Sequence, residues 1–185
     1  KANEVVRFGK KMATPLANVS IFYTADVDFA PRTDLTLDML QRCLQIAYTD
    51  SVREDKGGTY GVSVSFDLEK DDSPNALLRI SYKADPNRYA ELNPIVYRQL
   101  EHIAQQGPQA SSLDKVKRYL KKQYAQMAIT NDYWSYVIWH QLDDEADFDQ
   151  GYCQLVDSIS AEDIRQMAQT LLRQNHRVEV TMLSE

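Results

Sequence analysis

The chain has 185 residues, 43% of them hydrophobic, which suits one compact domain spanning residues 1–185 with a sizeable core. Asp and Glu number 27 against 21 Lys and Arg, and the net charge of −6 argues against nucleic acid or an anionic membrane surface as a partner. Two cysteines, Cys43 and Cys153, make no disulfide framework or CxxC metal spacing, and no apolar run reaches the roughly 18 residues of a membrane span.

In chain order, residues 3–9 and 19–27 read as strands, the second alternating Val19, Ile21, Tyr23, Ala25 and Val27 with polar or aromatic neighbours. Thr33 is placed to cap a helix in which Leu37, Leu40, Leu44 and Ala47 recur at helical spacing, ending near Arg53 or Glu54 before Gly57-Gly58. From Thr59 to Leu68 strict alternation puts Tyr60, Val62, Val64, Phe66 and Leu68 on one face. A polar turn leads to a second strand, ALLRISYKA, and so short a link predicts an antiparallel pair.

Asp85-Pro86 predicts a helix start, with Pro94 as a candidate kink and Gly107-Pro108 as the stop. A third helix opens at Ser111 or Ser112, and ITNDYWSYVIWHQL continues it or begins another capped near Asn131. The acidic segment DDEADFDQ reads as a loop before a short helix over 151–157. Ser160 to Asp163 resembles a capping box, followed by a helix with the core stripe Ile164, Met167, Ala168 and Leu171. RVEVTML closes the chain as a strand with Val178, Val180 and Met182 on one face. Strands and helices in blocks predict an α+β fold with a mostly antiparallel sheet packed with helices.

Few residues offer chemistry. His102, His140 and His176 are too scattered for a zinc site, and HRVE at 176–179 lacks the second histidine of H-x-x-E-H. No metal ligand set is therefore assigned. No nucleophile elbow or phosphate loop occurs, and Cys43 on an amphipathic helix reads as a small core residue. Trp134, Trp139, Tyr133 and Tyr136 at helical spacing read as core or as an aromatic wall, with His140 packed beside them. The lysine-rich run from Lys115 to Lys122 reads as a solvated helix face.

That leaves VREDKGGTYGVSVSF, residues 52–66. On one reading Arg53 complements a helix C-terminus, Gly57 and Gly58 make the turn, and Tyr60 packs inward with the valines. On the other, Arg53 and Tyr60 flank one helix-to-strand turn and their heads meet at one end of the sheet. There a guanidinium donates to peptide carbonyls and a phenol to an oxyanion.

The string SVREDKGGTYGVSVS resembles the arginine-tyrosine signature of the pitrilysin and insulin-degrading-enzyme family of zinc peptidases, which includes the mitochondrial processing peptidases. In that family an Arg ending a helix precedes by seven residues a Tyr opening a strand, the spacing of Arg53 and Tyr60. The helix LTLDMLQRCLQIAYTDSVRE, the segment NDYWSYVI, the SAEDI helix start and the closing strand extend the resemblance over most of the chain.

The resemblance implies the last domain of a C-terminal half that closes over a zinc-bearing N-terminal half, in the same polypeptide or a partner subunit. Arg53 and Tyr60 would bind the peptide substrate, Tyr60 with a catalytic role at the oxyanion, and Gly57 and Gly58 would serve as the structural turn. No cofactor is expected in this chain and zinc is expected in the partner half, so the chain alone should cleave nothing; its start without methionine fits an excised fragment. The resemblance leaves the compartment open between bacterial envelope, periplasm and cytosol. An inactive member serving assembly or substrate capture, and an unrelated α+β interaction module, are the alternatives.

Overall fold

A computed structural model describes residues 3–54, 59–70 and 73–185, the side chains of 52–60 aside. Five strands form one mixed sheet: β1 (Glu4–Lys10), β2 (Ala17–Asp26), β3 (Thr59–Glu69), β4 (Asn75–Ala84) and β5 (Arg177–Ser184). The spatial order is β1-β5-β2-β4-β3, with β1 parallel to β5 and every other pair antiparallel. The fold is α+β, as the blocks of elements predict.

Alternation decides which side of the sheet is covered. Ala17, Val19, Ile21, Tyr23 and Ala25 of β2 and Ala76, Leu78, Ile80, Tyr82 and Ala84 of β4 are all buried. Against them pack α1 (Pro31–Glu54), α2 (Tyr89–Gln106) and α6 (Ala161–Arg173), joined by α3 (Ala110–Met127), α4 (Asn131–Trp139) and α5 (Tyr152–Ser158). Each large apolar side chain so buried contributes about 1.5–3 kcal/mol.

Several boundaries differ from the sequence reading for local reasons. Helix α1 begins at Pro31, its first turn closed by the Asp34 N–H donating to the Ala30 carbonyl at 3.0 Å, so Thr33 lies inside that turn. The Asp85 carboxylate accepts from the Asn87 N–H at 2.7 Å, and this turn delays α2 to Tyr89. Helix α2 runs unbroken through Pro94 to Gly107, which has φ of 77°.

Thr130 caps α4 through Tyr133 N–H, making it a helix separate from α3. The capping box at Ser160 and Asp163 is present in both directions, and Arg32 of α1 reaches Asp163 at 3.2 Å.

On β5 the buried face carries Glu179 and Thr181, whereas Val178, Val180 and Met182 share the half-buried other side. The apolar phase of that strand therefore faces away from the helices. Trp134 and Trp139 also depart from a core reading, being 42% and 57% exposed on α4.

Candidate functional site

Helix α1 ends at Glu54 and strand β3 begins at Thr59, on either side of the residues that the sequence singles out. Arg53 lies in the last turn of α1 and Tyr60 is the second residue of β3. Gly57 and Gly58 lie outside the described residues, as do the side chains of Arg53 and Tyr60. What is on view is the backbone that carries them.

That backbone breaks the expected alternation. Thr59 pairs with Ala84 and Val62 with Tyr82, so Tyr60 and Gly61 together oppose the single residue Lys83. This is a β-bulge, and Gly61 sits in it with φ of +113°, a conformation in which a side chain is strained. Strict period two puts Tyr60 in phase with Val62. The register shift falls between Thr59 and Val62, so the alternation that would align Tyr60 with the valines is interrupted there. A glycine inside an otherwise alternating strand was the available signal for the bulge.

Beyond the bulge, β3 is held to α1 by side-chain amides. Gln45 Nε2 donates to the Val62 carbonyl at 2.7 Å and Gln45 Oε1 accepts from the Val64 N–H at 3.1 Å. One turn earlier, Gln41 Nε2 donates to the Val64 carbonyl at 3.0 Å. From the other side Gln99 of α2 donates to Ser51 Oγ at 2.8 Å, and Ser51 Oγ donates to the Ala47 carbonyl. No sequence signal marks these glutamines beyond their spacing of four on one helix. On the face of the sheet away from the helices, Gly61 borders a shallow depression of about 310 Å³ lined by Asn18, Ser20, Ser63, Ser81 and Lys83. Val19 and Tyr82 complete the lining, and Lys83 is the one charged side chain in it.

Elsewhere the described residues offer little that could act as a nucleophile or ligand set. Burial pushes the Cys43 thiol up to about 12, beside a groove of about 850 Å³ between α1 and α2. His140 Nδ1 meets Asp144 Oδ2 at 2.6 Å within a π-helical turn (His140–Asp144) and packs against Tyr136, Trp139 and Phe148. This pairing anchors the turn after α4. Among the described residues no group of three or more His, Cys, Asp or Glu could hold a metal ion.

A more elaborate polar cluster lies under the sheet. Asn93 Nδ2 donates to Glu179 Oε1 at 3.1 Å, Tyr97 donates to Glu179 Oε2, and Tyr82 donates to Asn93 Oδ1. Burial, the Glu179 hydrogen bond and its charge all raise the Tyr97 hydroxyl. Arg177 lies 4.7 Å from the Tyr97 ring centroid. Glu179 is only 3% exposed, so this cluster joins α2 to β5 without a route for substrate.

Comparison with known proteins gives a family and a fold. The family model described as "Peptidase M16 inactive domain" matches residues 2–120. No curated protein matches the chain in sequence. Among solved structures, the periplasmic protease PqqL from Escherichia coli is 17% identical with a TM-score of 0.82, over 100% of this chain and 21% of PqqL. A peptidase M16 inactive domain from Pseudomonas fluorescens is 14% identical with a TM-score of 0.78, over 100% of this chain and 44% of that one. Pitrilysin is 16% identical with a TM-score of 0.70, over 98% of this chain and 20% of that protein. The chain thus spans about a fifth of the longer proteins it resembles.

Proposed function

Because the chain belongs to the family of peptidase M16 inactive domains, we propose that it serves as the C-terminal-half domain that completes the peptide-binding site of a zinc peptidase. The observation that carries this reading is the join between α1 and β3: Arg53 in the helix's last turn, Tyr60 at the strand's start, and a glycine bulge that breaks the valine phase at Tyr60. Only four residues separate the helix end from the strand start, a spacing that would let two long polar side chains reach one end of the sheet.

In this reading the Arg53 guanidinium donates to substrate carbonyl groups and orients the peptide. The Tyr60 phenol donates to the scissile carbonyl oxygen as negative charge develops on it, an interaction strongest in the transition state. Zinc belongs to the other half of the enzyme, where it would supply Lewis-acid activation of water. The chain's own part is binding, orientation and one oxyanion donor.

The test uses the parent protein, or this chain with its zinc-bearing partner, on quenched fluorescent peptides. Wild type is compared with Tyr60→Phe and Arg53→Ala after all three are shown to be folded. Loss of one oxyanion donor is expected to lower kcat by about 100- to 1000-fold for Tyr60→Phe. Arg53→Ala should mainly raise KM. Variants that match wild type would return both residues to a structural role. A folded parent that binds zinc but cleaves nothing would favour assembly or substrate capture instead.

A further inference from the structure

Gln41 and Gln45 stand one helical turn apart on α1, so their amides emerge on the same face, separated by about 6 Å along the axis. In β3 the Val62 and Val64 carbonyls are separated by about 6.6 Å, two residues of a strand. The two spacings match, and the order is that of an antiparallel pair: the later glutamine meets the earlier valine. Both the N–H and the C=O of Val64 are taken by α1, so these groups face away from β4. The glutamine amides thus occupy the outer edge of the sheet, where a further strand would pair.

Their place in the chain gives this edge contact a second consequence. Gln45 lies eight residues before Arg53, about 12 Å along the helix, and Val62 lies two residues after Tyr60, about 6.6 Å along the strand. The amide of Gln45 grips two backbone groups at once, so β3 cannot slide along α1 without breaking both hydrogen bonds. A slip of one residue would move Tyr60 by about 3.3 Å relative to Arg53.

We propose that Gln41 and Gln45 are positioning residues for the Arg53–Tyr60 pair, setting the longitudinal register of the strand that carries Tyr60 against the helix that carries Arg53. The proposal rests on the reading that these two residues bind substrate. It goes beyond that reading by assigning their alignment to side chains outside the signature.

The test places Gln45→Met, Gln45→Glu and Gln41→Met in the full parent protein. Methionine keeps the side-chain length and removes both amide hydrogen bonds, while the introduced carboxylate retains an acceptor for Val64 N–H and loses the donor to Val62. Amide exchange at Val64 should speed up by roughly 3- to 10-fold in Gln45→Met, the loss of one ordinary hydrogen bond. Misalignment by a fraction of a strand residue should lower kcat by about 10- to 100-fold, with KM changed by less than about threefold. Gln45→Glu should fall between wild type and Gln45→Met.

Faster Val64 exchange with wild-type kcat, in a protein where Tyr60→Phe is slow, would overturn the positioning role and leave only closure of the sheet edge. Unchanged Val64 exchange would overturn the clamp itself. If Tyr60→Phe and Arg53→Ala both match wild type, the underlying site reading fails and the positioning role falls with it, while Val64 exchange still reports whether the clamp forms. Should Gln45→Met not fold, Gln45→Leu also removes the acceptor of the Val64 N–H and reads both quantities, while Gln41→Met, which loses only the donor to the Val64 carbonyl, reads kcat.

Discussion

Two helices are tied to this sheet by side chains four residues apart, and the chemistry of the two ties is opposite. At the β3 edge, Gln41 and Gln45 of α1 offer neutral amides to backbone groups and remain half-buried. Under β5, Asn93 and Tyr97 of α2 converge on the carboxyl group of Glu179, which is sealed in the core. An edge amide can be lost at the cost of about 1 kcal/mol because water replaces much of it. A buried carboxyl group and its donors have no such substitute. The difference separates a tie that sets geometry from one that sets stability.

The largest effect expected from breaking this contrast comes from Glu179→Ala. It leaves the buried Asn93 amide and the half-buried Tyr97 hydroxyl without their acceptor and opens a void. The expected loss is about 3 to 5 kcal/mol, since each buried donor left unpaired costs about 1 to 3 kcal/mol before the packing term. Urea denaturation of the parent protein would measure it, with Gln45→Met alongside at about 1 kcal/mol. Equal losses for the two variants would erase the distinction between edge and core.

A smaller effect is expected where β3 leaves the amide tie and enters the bulge. Gly61→Val should cost about 1 to 3 kcal/mol through backbone strain at φ of +113°, although nothing lies within 4 Å of the added Cβ. Gly61→Ala should sit at the lower end of that range. If both substitutions are neutral, the bulge is not held in this conformation in solution. The register at Tyr60 would then revert to simple alternation.

These three sites show where the sequence could and could not be read. Alternation and capping residues marked nearly every strand and helix, because burial on one face leaves a period in the sequence. The β3–β4 hairpin and the Ser160 capping box are cases in point. The arginine-tyrosine spacing likewise marked the join between α1 and β3.

The polar ties were illegible because they join residues remote in the chain and depend on pairing rather than pattern. Glu179 lies 86 residues from Asn93. On β5, Val178, Val180 and Met182 share one face as the period predicts, but hydropathy gives no sign that Glu179 and Thr181 on the other face are the buried pair, held there by donors. The exposed Trp134 and Trp139 failed for the converse reason. Helical spacing of aromatics gives a face but not what that face meets.

The last expected effect is a pH dependence at Asp34, in the first turn of α1, where burial meets a like charge rather than a set of donors. Burial first, and the neighbouring Asp38 second, push its carboxyl up to about 7, against the pull of the helix N-terminus toward the ionised form. Asp38 is the better supplied of the two, because Arg42 Nε donates to both of its oxygens at 2.9 and 3.0 Å. An aspartate raised in the folded state binds its proton more tightly there than in the unfolded chain. Its contribution to stability is therefore fully present below about pH 4 and lost as pH rises toward and through about 7. Asp34→Asn should remove that slope, so its stability relative to wild type should improve between pH 5 and pH 8 when urea midpoints are compared. Parallel pH profiles for variant and wild type would mean that Asp34 ionises freely in the fold, and that its place in the helix's first turn outweighs its burial.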